Sequence, residues 1–424
     1  MKKIISFLAV SGLSAPAIGG DFIPANNNPV EGQYIVVLKD DSIKFRAERE
    51  QVSERHARKL VLDELGKRHK ANRMREFEAA LQGGVVNLSE AEAKKLANDP
   101  SVAFVEQDAV VQFIEPRIKG SVNALSVATQ FGVPSWGLSR IDQRNLPLDS
   151  NYNYDYTGKG VTAYVIDTGI YYQHSDFGIR ASVGFDALGG NGVDCNGHGT
   201  HVAGTIGSST YGVAKEVNLV GVRVLDCTGS GTWSGVINGI AWVTANAKKP
   251  AVANMSLGGG ANTALDQAVK SSIASGVTYV VAAGNESRNP CSTTTSGGSP
   301  ARVAQAITVG ATGSYIINPN GTASIKSYDE RANYSNYGSC LDIFAPGTFI
   351  TSTWNTSNVS TNTISGTSMA TPHVTGVIAL YLQTQPLATP SALTAALKQN
   401  ATASKLTSIG SGSPNALLYS LPKI

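Results

Sequence analysis

Residues 161–170 read VTAYVIDTGI. Val161 to Ile166 is a short uncharged run of β-branched and aromatic residues, as expected of a strand buried on both faces, and it closes on one carboxylate, Asp167, and a glycine turn. Runs of the same kind recur at Leu219 to Leu225, Val252 to Leu257, Val277 to Ala282 and Ile307 to Ala311, with helical stretches between them. That alternation predicts βαβ units and a mostly parallel sheet covered by helices on both faces. Glycine and serine between the runs suit tight loops at the rim of the sheet. In an open α/β sheet, ligands bind outside the carboxyl ends of the strands, and Asp167 stands at such an end. Alone, a strand-end aspartate more often caps a loop or helix.

Upstream the character of the chain changes. About a third of the residues from Asp21 to Val127 are charged, against about a tenth from Ala128 onward, which marks a boundary. The charged part carries a strand at Tyr34 to Leu38, a helical stretch from Phe45 to Lys70 and a strand near Gly84 to Leu88. A helix from Glu90 to Ala97 and a last strand from Val102 to Glu106 complete a small α+β pattern. Pro116 to Pro134 reads as an exposed linker, with Ala128 as the expected start of a mature chain. Before all this, Lys2 and Lys3 precede an apolar run from Ile4 to Leu13 and small residues at Ala15 and Ala17, the build of a secretory signal ending near Ala17 to Gly20. About ten apolar residues are too few to span a bilayer, which needs roughly twenty. The organisation expected is therefore a signal over 1–20, a pro-segment over 21–127 with its core at about 34–112, and a main domain over 128–424. A net charge of +3 and the lack of a dense basic cluster in the main domain speak against a nucleic-acid partner.

Two further motifs supply chemistry. HGTHVAG, residues 198–204, places His198 at the head of a helix, where a general base near neutral pH needs an imidazole. His201 lacks the HExxH context of a zinc ligand and reads as structural. GTSMATPHVTG, residues 366–376, starts a helix at Ser368, with Pro372 tolerated in its first turns and His373 packed inside it. The amide of Ser368 can help bind an oxyanion, and AAGN, residues 282–285, offers the Asn285 side chain as a second donor. Acid, base and nucleophile thus occur in the order Asp167, His198, Ser368, the order known from subtilisin and not from chymotrypsin or the α/β-hydrolases. Cys195, Cys227, Cys291 and Cys340 all lie in the main domain; an even number suits an oxidising compartment, and four cysteines allow three pairings.

VIDTGI, HGTHVAG, AAGN and GTSMATPHVTG together resemble the signature blocks of the proteinase K family of subtilases, and DCNGHGTHVAG and RVLDC resemble its aqualysin-type members. The resemblance implies a subtilisin-like three-layer α/β sandwich and a secreted, monomeric serine endopeptidase acting through an acyl-enzyme on Ser368. It implies an oxyanion hole of Asn285 and the Ser368 amide, and substrate bound as an added strand between Gly229, Ser230, Gly231 and Ser256, Leu257, Gly258. A primary pocket lined by Ser256 to Gly258, Ala283 and Gly284 carries no charge, so an apolar or aromatic residue is expected before the cut. It further implies disulfides Cys195–Cys227 and Cys291–Cys340 and a structural Ca2+ at Asp342 with the carbonyls of Ala304 and Ala306. A second, weaker Ca2+ site is expected near Asp142 and Gln143, where Ser139 replaces an acidic ligand. The charged pro-segment, opening YIVVLKD at Tyr34, resembles an inhibitory and chaperoning propeptide removed by self-cleavage. Rival functions are a catalytically silent binding protein on this fold, against which the intact motifs speak, and a serine esterase, which hydrolysis of a peptide amide beside a simple ester would separate.

Overall fold

The structure is a computed structural model that describes residues 19–71, 74–112, 130–294, 296–313, 315–317, 323–325 and 328–420. Most of the expected signal segment and the expected maturation point at Ala128 lie outside the described residues. The chain forms two compact units: one from residues up to Pro24, Gly32–Glu76 and Gln82–Glu106, the other from Ala25–Glu31, Phe77–Leu81 and Gln107 onward. No described helix is long and apolar enough to cross a membrane.

The first unit is built on β1 (Asp21–Ile23), β2 (Pro29–Leu38), α1 (Asp40–Glu50), α2 (Glu54–Arg68), β3 (Met74–Glu76), β4 (Gly83–Asn87), α3 (Glu90–Ala97) and β5 (Val102–Gln112). Its strands run in the order β1-β5-β2-β4-β3. Tyr34, Val36 and Leu38, alternate residues of one strand, bury one face against Ile43, Val61, Leu62, Leu65 and Leu96 of the helices. The single helical stretch expected over Phe45 to Lys70 is two helices. Gln51 takes a left-handed conformation (φ 55°) that ends α1, and the Ser53 hydroxyl accepts from His56 N to start α2. β5 also runs six residues beyond the expected Glu106, and its end, from Gln107, belongs to the second unit.

In the second unit the order is α4 (Trp136–Ile141), β6 (Thr162–Asp167), β7 (Ala181–Asp186), α5 (His198–Gly207), β8 (Asn218–Arg223), β9 (Ser230–Thr232), α6 (Trp233–Asn246), β10 (Ala251–Met255) and α7 (Thr263–Ala274). Strands Thr278–Ala282, Ile307–Thr312 and Ile343–Pro346 follow, then α8 (Thr367–Thr384), α9 (Pro390–Asn400) and the short strands Thr402–Ala403 and Ala416–Leu417. Across the sheet the sequence of neighbours is 402–403, 416–417, 343–346, 307–312, 278–282, β10, β6, β8, β7, and every pair but the first is parallel. Alternate residues of β6 go to opposite layers. Ala163 and Val165 share a core with Val202 and Ile206 of α5 and Met369 and Val374 of α8, whereas Tyr164 and Ile166 face Trp242 and Gly239 of α6. This is the three-layer sandwich that the apolar runs predict.

From β6 the chain builds the sheet first on one side, through β7 and β8, and then on the other, from β10 onward. Asp167 therefore ends the strand at the topological switch point, where open α/β sheets leave a crevice. Still within the second unit, Val110, Val111 and Gln112 pair antiparallel with Thr232, Gly231 and Ser230 of β9. Asp108, fully buried, accepts from Ser234 N (3.2 Å) in the first turn of α6, where the helix dipole favours a carboxylate.

Candidate active site

Each of the three elements that meet at the switch point has a local reason to hold its residue still. Asp167 Oδ1 accepts from Thr168 N (2.8 Å), and the Asp167 carbonyl accepts from Val224 N (2.8 Å) across to the loop after β8. His198 is the first residue of α5. Its neighbour Gly197 has φ 113°, and a Cβ there would stand 2.3 Å from the Trp354 ring; a Cβ on Gly199 would stand 2.2 Å from the Gly169 carbonyl oxygen. Only glycine lets the two backbones approach so closely. The outcome is a hydrogen bond of 2.8 Å between His198 Nδ1 and Asp167 Oδ1, with both side chains 0% exposed.

Ser368 is the second residue of α8, after Gly366. Pro372 has no N–H to give the Ser368 carbonyl four residues back, and that carbonyl accepts instead from the Ser256 hydroxyl (2.8 Å). Ser368 Oγ in turn donates to the Ser256 carbonyl (3.0 Å). The Ser256 hydroxyl also accepts from Asn254 Nδ2 (2.9 Å), and Asn254 Oδ1 accepts from Thr375 Oγ1 (2.8 Å), so α8 is stitched to the end of β10. Asn285 Oδ1 accepts from both the backbone N and the hydroxyl of Thr367 (2.9 Å each), which directs its NH2 group away from Thr367.

Three positioning residues escaped the sequence reading. Asp194, 4% exposed, accepts from Thr168 Oγ1, Asn196 N, Gly197 N and Thr200 N (2.9 Å each), and from Thr200 Oγ1 (2.5 Å). It ties the residue after Asp167 to the turn that presents His198. An aspartate just ahead of a helix is a capping signal that could have revealed it. Thr367 lies within GTSMATPHVTG with no signal of its own. Asn336 accepts from Glu286 N (3.2 Å) and Arg288 N (2.9 Å) and donates to the Ala283 carbonyl (2.8 Å), shaping the loop around Asn285 from about fifty residues away, with no local signal.

The other histidines of these helices are structural. His201 sits wholly buried with Nε2 2.9 Å from the Ile350 carbonyl, and burial pushes its pKa down to about 3. His373 Nδ1 lies 2.8 Å from the Met369 carbonyl, and burial takes its pKa down to about 4.

A cavity of about 310 Å³ opens beside Ser368. Ser256, Leu257, Gly258, Ala283 and Gly284 line it as expected, but Glu286 and Arg288, 3.7 Å apart, line it too, so its wall is not free of charge. Gly229 to Gly231 does not line the cavity itself, but Ser230 and Gly231 of β9 pair with Gln112 and Val111, which do. The disulfides are Cys195–Cys227 and Cys291–Cys340.

The candidate Ca2+ ligands fare differently. Asp342 Oδ2 accepts from Thr308 N (2.9 Å) and Oδ1 from Lys398 Nζ (3.0 Å), so its charge is already met and the set with Ala304 and Ala306 fits a divalent cation poorly. At the second place, Asp142 Oδ1 is buried with no hydrogen-bond partner among the described residues, and burial, reinforced by Asp149, raises the Asp142 pKa to about 6. An unmet buried oxygen beside a second carboxylate is what a hard cation relieves. The Asp142 carboxylate therefore suits a hard cation, whereas Gln143 is less open to one, since its Oε1 accepts from Asp149 N (3.1 Å) and its carbonyl from Arg140 Nη1 (2.6 Å).

The fold brings the buried Asp167–His198 pair of β6 and α5 to the end of the sheet at which α8 begins with Ser368, and these are the residue types of a serine hydrolase. The Subtilase family model matches residues 158–415, and the Peptidase inhibitor I9 model matches residues 33–113. An extracellular serine proteinase of Thermus sp. (strain Rt41A) is 49% identical over 97% of this chain and 94% of its own length. Alkaline serine exoprotease A of Vibrio alginolyticus is 50% identical over 81% of this chain, which spans 60% of that relative. A crystal structure of a cold-adapted subtilisin-like serine proteinase is 54% identical with TM-score 0.62, covering 68% of this chain and 98% of its own. The chain belongs to the subtilase family, as a proteinase K-like serine protease with an I9 inhibitor segment ahead of its peptidase domain.

Proposed function

We propose that the chain is a secreted endopeptidase in which Asp167 orients His198, His198 takes the proton of Ser368, and Ser368 attacks the peptide carbonyl. The Ser368 Oγ–carbon bond forms as the proton moves to His198 Nε2. That proton then leaves on the departing amine as the C–N bond breaks, and water cleaves the acyl-enzyme by the same route. The NH2 of Asn285 and the amide of Ser368 hold the oxyanion. The observation that carries this reading is the fully buried 2.8 Å bond between Asp167 Oδ1 and His198 Nδ1. A substrate strand laid along Ser256 to Gly258 takes the Ser256 carbonyl, which frees the Ser368 hydroxyl to turn to His198.

Specificity on this reading is broad, because main-chain pairing at Ser256–Gly258 and Gly229–Gly231 does not depend on side chains. The Leu257, Gly258, Ala283 and Gly284 part of the cavity wall favours an apolar or aromatic residue before the cut, while Glu286 and Arg288 offset each other's charge. Residues up to about 20 act as the export signal, consistent with the extracellular Thermus relative. Residues 21–127 form a propeptide that the enzyme removes from itself before Ala128, leaving a monomeric peptidase of residues 128–424. Antiparallel pairing of Val110–Gln112 with β9 supports the β9 edge as a peptide-binding strand. Subtilases commonly bind structural calcium, and here the Asp142 carboxylate would hold it, supplying charge balance to the loop after α4 and no chemistry to the reaction.

The test is mass spectrometry with N-terminal sequencing of the secreted wild type beside Ser368→Ala, each incubated with casein. The expected result is a wild type that begins near Ala128 and degrades casein, and a variant that keeps its pro-segment and is inert. Equal maturation of both, with casein intact, overturns the reading.

A further inference from the structure

Asp342 stands one residue before the strand Ile343–Pro346, against Thr308 of the neighbouring strand Ile307–Thr312. Its side chain is 14% exposed, so its carboxylate has given up most of its water, and burial accordingly pushes its pKa up. Two donors meet it. Thr308 N binds Oδ2 at 2.9 Å, and Asp342 N returns a bond to the Thr308 carbonyl at 2.9 Å, fixing the carboxylate to the sheet. Lys398 Nζ binds Oδ1 at 3.0 Å. Lys398 lies in the last turn of α9, where the helix carbonyls also favour a cation, and its side chain reaches across from a half-exposed position.

A calcium ion bound by the same carboxylate sits about 2.3–2.6 Å from its oxygens and demands six to eight oxygen ligands. An ammonium 3.0 Å from Oδ1 occupies that approach and repels the ion. We propose that Lys398 is a built-in cation that stands in for calcium at Asp342, so that α9 is fastened to the central sheet by the chain itself and this site does not need a metal. The remaining ligand candidates, the carbonyls of Ala304 and Ala306, add no charge that would let a divalent ion outcompete the tethered ammonium. The proposal stands apart from the catalytic reading, since neither residue touches the site at Ser368.

Calcium chloride titration calorimetry and thermal melting with and without calcium test it. The full chain carrying Ser368→Ala is used, to exclude self-digestion, together with Asp142→Asn to silence the other candidate site. Lys398→Met keeps the aliphatic stem and removes the charge. The expected result is that the parent shows weak or no calcium binding, while Lys398→Met binds about tenfold tighter or more and gains a calcium-dependent rise in Tm. Adding Asp342→Asn to Lys398→Met should abolish both gains. A parent that binds calcium as tightly as Lys398→Met and loses it on Asp342→Asn overturns the proposal. A Lys398→Met chain that gains no calcium binding overturns it equally.

Discussion

Asn285 spends its amide oxygen on Thr367, and this fixes which end of the side chain can serve a developing negative charge. On the proposed mechanism the contact strengthens only as the carbonyl becomes tetrahedral, so its loss belongs to kcat. Asn285→Leu should lower kcat about 100- to 1000-fold with KM nearly unchanged, the range being the loss found in subtilisin when its oxyanion-hole asparagine is removed. Steady-state hydrolysis of a chromogenic peptide amide checks it; a rise in KM at constant kcat would place Asn285 in ground-state binding. A different kind of residue holds the imidazole. Asp194 makes no bond to Asp167 or His198, yet the hydrogen bonds that fix the loops bearing both converge on its carboxylate. The residues proposed to do chemistry announce themselves in the sequence through glycine and small neighbours, whereas Asp194 announces only a cap.

At the scale of elements, α5 and α8 each carry a buried neutral histidine beside the residue they present. His201 Nδ1 and His373 Nε2 have no hydrogen-bond partner among the described residues, so a proton added to either would bury an unmatched charge. Their folded pKa values, about 3 and about 4, lie below the ordinary 6.5. The unfolded chain therefore takes up protons that the folded chain refuses: stability is intact above pH 6.5 and is lost as pH falls from 6.5 toward 4 and 3. At pH 5 each group costs about 2 kcal/mol relative to pH 7, from 1.5 units at about 1.4 kcal/mol each. Asp142, raised to about 6, works in the opposite sense over the same window but is one group against two. Urea unfolding of the Ser368→Ala chain should show lower stability at pH 5 than at pH 7, and a smaller difference in His373→Met; an equal difference would place the acid sensitivity elsewhere. These helices were legible from their glycine-rich starts, and the parallel strands from uncharged apolar runs, since burial on both faces leaves little choice of residue. The break at Gln51 was not, because Gln is not a residue that favours φ of 55° and nothing local marks the turn at which α1 folds back on α2. Asn336 and Lys398 were invisible as well: each acts on a residue about fifty positions away, and such partners exist only once the fold brings them together.

For the molecule as a whole, two cross-links close loops of 32 and 49 residues within the second unit. In the chain-entropy model each restricts the unfolded ensemble by about 4 kcal/mol. Replacing Cys291 and Cys340 together by serine should lower Tm by on the order of 10 °C, which calorimetry of the Ser368→Ala chain would measure; an unchanged Tm would show that the unfolded chain is already confined there. The pairing of Val110–Gln112 with β9 has a consequence in time. On the proposed self-processing, a strand that docks as a substrate would, and is not itself the bond that is cut, would leave slowly after cleavage because its ladder outlasts the covalent link. Each newly cleaved molecule would then, on the same proposal, remain dormant until its docked strand dissociates or is destroyed by a neighbour already awake. Activity in a fresh population would therefore rise after a lag and then accelerate, with a lag that shortens as the protein is concentrated, so that the onset of digestion reports crowding rather than age.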